Sequence, residues 1–182
     1  MVIAAPALNF KPKQATLPVQ SFLQRLLLIS NDKISDIVNA YSQEAIETVK
    51  LHQKLVTYNS SLDPLYLNWE QELIESSVVL RGKDSQTNYI QINSYSILER
   101  LDAMIRDRFI FDGRAIAQIL EDNKVKTYRE IIDCGLEPTG NLAELFAIQA
   151  DTKIIYRTYL VVIDSLSAIQ VTEKFPICHF ID

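Results

Sequence analysis

The chain has 182 residues, 48% of them hydrophobic, with 18 Lys and Arg against 23 Asp and Glu and a formal charge of −5. That length suffices for one domain with a proper core, and the scattered acidic excess argues against a nucleic-acid partner, which needs a basic patch to neutralise phosphates. No run approaches the ~20 apolar residues of a membrane span and two cysteines are too few for a disulfide framework, so a cytoplasmic protein is expected.

Residues 1–17 lack the basic start and unbroken apolar core of a secretory signal. They read as an irregular arm, leaving residues 18–182 as a single domain. From Pro18, suited to a first helical turn, VQSFLQRLLLIS carries apolar residues at helical spacing. A second helix follows, with Ser30 or Asn31 as cap and Ile34, Ile37, Val38 and Tyr41 along one stripe. Strand-like segments then dominate, at 45–58, 70–82, 87–96, 124–135, 152–164 and 168–180. Helical stretches at 97–109 and 114–123 separate the third strand from the fourth, with Asp112 as a possible cap of the second stretch. A short helix, NLAELFAIQA, precedes the fifth strand. The links GKDSQ and DSLS are short and rich in turn residues, which favours antiparallel hairpins. The pattern predicts an α+β fold, with one six-stranded antiparallel sheet and helices packed mainly on one face.

The last strand holds an anomaly. In QVTEKFP, alternation places Glu173 on the same face as Val171 and Phe175. A charge there costs several kcal/mol, by rough estimate, unless it is paired or neutralised. Either Glu173 keeps its proton and serves as a donor in a cavity, or a neighbour, Lys174 or Arg157, pairs with it. Cationic anchors for a small acidic ligand are available in Arg81, Lys83, Arg129 and Arg157, all in or beside strands. The chain has no Gly-rich phosphate loop, GxSxG, HExxH or CxxC. His52 and His179 lie far apart, so neither a metal nor another cofactor is expected.

QRLLLISNDKISDIVNAY, VVLRGKDS, KTYREI and YRTYLVVIDSLSAIQVTEKFP, in that order and spacing, resemble the chorismate lyase (4-hydroxybenzoate synthase, chorismate pyruvate-lyase) family, in particular its cyanobacterial, plastid and mycobacterial-type branch. The resemblance implies an internal ligand cavity and a cofactor-free cleavage of chorismate to 4-hydroxybenzoate and pyruvate, an early step towards quinones. It implies that Glu173 contacts the oxygen-bearing end of the ring, and that Ile34 and Ile116 line the site. The family's carboxylate-holding arginine falls at Ser76, a weaker neutral donor. Ala115, Ile116 and Ala117 stand where the family commonly has Pro-Leu-Gly, and Asn93 replaces an acidic residue. Two functions stay open. One is an active carbon–oxygen lyase in which Arg81, Arg157 or Arg129 has taken over the carboxylate. The other is a non-catalytic or re-purposed relative that binds a small aromatic or apolar ligand, or a protein partner.

Overall fold

A computed structural model describes residues 21–30, 33–58, 71–112 and 114–181. The expected arm at 1–17, Pro18 and Asn31 lie outside them. Helix α1 spans Phe22–Ile29, and Ser21 caps it by accepting a hydrogen bond from the Gln24 backbone N–H. Helix α2 spans Ile34–Ser42. Strands β1 (Ile46–Tyr58), β2 (Gln71–Gly82) and β3 (Asn88–Ile97) follow, then α3 (Ala103–Phe111), α4 (Ile116–Asp122), β4 (Tyr128–Pro138), α5 (Ala143–Phe146), β5 (Lys153–Ile163) and β6 (Leu166–Pro176).

The six strands form one antiparallel sheet in the order β1-β2-β3-β6-β5-β4. Because β6 returns to pair with β3, the strand carrying Glu173 lies in the middle of the sheet. The expected boundaries shift for identifiable reasons. β3 runs on through Ile97, and Asp102 rather than an earlier residue starts α3, by accepting from the Met104 N–H. Asp112 ends α3 and makes no cap for α4, whose N-cap is Ala115 without a side-chain bond. The β5–β6 turn is closed by Asp164 (φ 49°) and Ser165 (φ 68°) alone. Two consecutive left-handed residues match the twist of an antiparallel ribbon.

Alternation puts every second residue of each strand on a common inner face, which the helices cover. Two apolar clusters fill it. Under α3 and α4, Ile105, Phe109, Ile116, Ile119 and Leu120 pack against Ile74, Tyr159, Val161, Ile169 and Val171. Under α1 and α2, Leu27, Leu28, Ile34 and Val38 pack with Leu80, Ile90, Ile155, Phe175 and Phe180. Ile92 packs against both. The chain end holds the α1–α2 unit in place: the Phe180 carbonyl accepts from Gln24 Nε2 at 2.8 Å, and the Ile181 carbonyl accepts from the Tyr41 hydroxyl at 3.0 Å. Each fully buried Phe here contributes about 1.5–3 kcal/mol.

The β2–β3 hairpin is pinned by one carboxylate. Glu44 accepts from the Ser85 hydroxyl (2.7 Å), the Asp84 and Ser85 N–H groups (2.9 and 3.0 Å) and the Tyr89 hydroxyl (2.9 Å). These bonds, the Ser85 hydroxyl foremost, lower its pKa to about 2 from an ordinary 4.5. A depressed folded value means that the stabilisation is complete above the unfolded value and is lost as the carboxylate protonates. Glu44→Gln is therefore expected to melt below wild type at pH 6, with the gap closing as pH falls from 4.5 towards 2. Thermal unfolding across that range checks it, and a constant gap would contradict it.

Candidate functional site

Glu173 and Arg157 are directly opposed on β6 and β5, and each residue is only 1% exposed. Arg157 Nε donates to Glu173 Oε2 at 2.6 Å, and its Nη1 donates to the Ser30 carbonyl at 2.8 Å. The other carboxylate oxygen, Oε1, accepts from the Tyr159 hydroxyl at 2.8 Å. Tyr159 is two residues beyond Arg157 on β5 and so shares its face. Burial, reinforced by the neighbouring Glu173 charge, pushes its hydroxyl far above its ordinary pKa, so it remains a donor. Two guanidinium groups approach its ring, Arg129 at 5.4 Å and Arg157 at 5.6 Å from the centroid, within cation–π range.

The group sits at the seam of the two apolar clusters, with Ile92 paired to Glu173 on the other side. Arg157 Nη2 is buried and has no hydrogen-bond partner among the described residues. An unmet donor on a buried cation is costly, and a carboxylate is the group best shaped to satisfy it. Glu173 thus has a donor on each carboxylate oxygen. Lys174, the other partner considered, bonds Glu137 at 2.7 Å instead.

The remaining residues singled out from the sequence distribute around this group. Ser76 is buried on the inner face, opposite Gln53 on β1 and Ser94 on β3. Ile34 opens α2 within one cluster and Ile116 opens α4 within the other, so they bracket the seam. Arg129 is an inner-face residue of edge strand β4, beside Tyr159. Arg81 is set apart, since it pairs with Glu47 at 2.9 Å and belongs to the alternate face of β2. Asn93 likewise lies on the outer face, opposite Ser77 and Thr172. His179 packs edge-on to Tyr89 and Phe146, and burial lowers its pKa. Among the described residues, no three of His, Cys, Asp and Glu gather as a metal site. A surface groove of about 760 Å³ runs between α1 and α2, lined by Phe22, Leu26, Ile37 and Tyr41, none of which belongs to the buried group.

Sequence reasoning missed Tyr159, because a tyrosine in a nearly continuous apolar strand reads as core. Its offset of two from Arg157 was the available signal. It could not have found the Ser30 carbonyl, which reaches Arg157 only through the packing of α1 on the sheet.

Residues 29–180 match the family described as "Chorismate pyruvate-lyase Rv2949c-like". The chain belongs to this Rv2949c-like chorismate pyruvate-lyase family. No curated protein sequence matches it. Its fold is shared with solved domains of regulators. The effector domain of PhnF from Mycobacterium smegmatis superposes with a TM-score of 0.62 at 14% identity, covering 82% of this chain and 91% of that one; of the longer PhnF chain the coverage is 65%. A GntR-family transcriptional regulator from Enterococcus faecalis gives 0.56 at 11% identity, covering 75% and 97%. One from Bacillus cereus gives 0.57 at 5%, covering 75% and 94%. At such identities the likeness concerns the fold alone. Among the described residues no helix is long and apolar enough to cross a membrane.

Proposed function

We propose that this family member cleaves chorismate to 4-hydroxybenzoate and pyruvate at the Arg157–Glu173–Tyr159 group, without a cofactor. The observation that carries it is the buried cation beside Glu173 with one donor nitrogen uncommitted. In the reaction the bond between ring carbon and enolpyruvyl oxygen breaks, and the hydrogen on the adjacent hydroxyl-bearing ring carbon leaves as a proton. The ring becomes aromatic, and the released enolate takes up a proton at its methylene carbon to become pyruvate. Atoms and electrons balance with no oxidant or reductant.

In this scheme Glu173, fixed by two donors, accepts hydrogen from the oxygen-bearing end of the ring, and Tyr159 holds the carboxylate in line. Arg157 neutralises negative charge gathering on the departing oxygen. A site this dry strengthens each of those interactions, because no water competes. The partner is a small aromatic carboxylate, and a reducing cytoplasm suits the free thiols of Cys134 and Cys178.

Purified protein given chorismate is expected to release pyruvate and 4-hydroxybenzoate in equal amounts. No product above the uncatalysed background would overturn the proposal. A second reading, ligand binding without cleavage, draws on Ser76 and on the effector domain among the structural relatives. Binding of an aromatic carboxylate without product would favour it.

A further inference from the structure

We infer that Arg157 recognises the carboxylate of the substrate's side arm, so the site selects aryl ethers with an acidic arm and holds a ring carboxylate only through neutral serine hydroxyls. The inference presupposes the chorismate-cleaving reading above, in which Glu173 faces the oxygen-bearing end of the ring. That end of the substrate carries the three-carbon arm and its carboxylate. The cation lies at the same end, since Arg157 and Glu173 are bonded at 2.6 Å. With Nε given to Glu173 and one Nη1 hydrogen to Ser30, the guanidinium keeps Nη2 and the second Nη1 hydrogen. Together these make a fork for one further carboxylate.

The other end of the ring meets different chemistry. Ser94 is the next inner-face residue along β3 after Ile92, the partner of Glu173, and such diagonal neighbours lie about 7–8 Å apart. One substituted ring spans that distance. Ser76 is one strand further out, directly opposite Ser94, and Ser96 follows on β3. All three are buried, and the Ser96 hydroxyl, 0% exposed, has no partner among the described residues. The residues paired with them across the sheet are Gln53, Ile74, Val171 and Ile169, none of which is charged. A ring carboxylate placed here gains neutral hydrogen bonds, which are roughly half as strong as charge-assisted ones. Once the ether breaks, the strongly held carboxylate departs with pyruvate, and 4-hydroxybenzoate keeps only the weak contacts.

Calorimetry on the full chain separates the two ends with simple probes. Phenoxyacetate carries the arm carboxylate alone, and 4-hydroxybenzoate the ring carboxylate alone. Phenoxyacetate is expected to bind more tightly by roughly tenfold or more, the difference between a charged fork and neutral hydroxyls. Ser76→Arg is expected to tighten 4-hydroxybenzoate by about tenfold while moving phenoxyacetate less than about twofold. Wild type binding 4-hydroxybenzoate as tightly as phenoxyacetate, or binding neither probe, would overturn the inference even if chorismate were cleaved. Tighter phenoxyacetate binding without chorismate cleavage would uphold the recognition and sink only the lyase reading.

Discussion

Arg157→Met is expected to destabilise the protein by about 3–5 kcal/mol, the usual cost of stranding one partner of a buried ion pair. The methionine fills similar volume, so little of the loss comes from a cavity. It comes from Glu173, 1% exposed, which loses the guanidinium at 2.6 Å and keeps only the Tyr159 hydroxyl. The Ser30 carbonyl loses its donor as well, which loosens the end of α1 over the sheet. Urea unfolding at constant m-value measures the change. The double variant Arg157→Met, Glu173→Met should recover most of the loss, because an apolar pair needs no counter-charge. A single-variant loss below about 1 kcal/mol would mean that water reaches the carboxylate, and that the pair behaves as a surface bridge.

Glu173→Gln is expected to lower chorismate turnover by an order of magnitude or more, a positioned acid–base group typically supplying roughly 10²–10⁴-fold. The variant is isosteric, but its amide nitrogen brings two hydrogens to a carboxylate position that faces either Arg157 Nε–H or the Tyr159 O–H. With the amide oxygen kept on Arg157, the Tyr159 hydroxyl must turn from donor to acceptor. The amide also cannot take a proton from the ring. Steady-state rates on variant and wild type, compared at matched folded fraction, check it. Unchanged turnover would remove Glu173 from the chemistry and leave it a structural partner of Arg157.

Much of this fold could be read directly from residue patterns. Alternation along 168–176 put Glu173 on the apolar face, and the structure buries it there beside Val171 and Phe175. The hairpin turns declared themselves through GKDSQ and DSLS, because turn residues act locally. The order of strands was less accessible, since β6 docks beside β3 across 70 or so residues of intervening chain, and that choice is made by packing. The same limit applied to the site. Period-two alternation gives the face of Arg81, Arg129 and Arg157 only within each strand, so three cations remained candidates. Cross-strand register separates them: Arg157 meets Glu173, Arg129 borders Tyr159, and Arg81 is held by Glu47 on the other face.

Catalysis at the buried pair requires that a ligand reach it between the sheet and its helices. A crystal structure of the protein soaked with 3-(carboxymethoxy)benzoate, which carries both acidic ends, addresses this directly. The predicted result is density on the inner face, with the arm carboxylate on Arg157 Nη2 and the ring carboxylate towards Ser76 and Ser94. Density confined to the groove between α1 and α2, with the Arg157–Glu173 pair untouched, would contradict it.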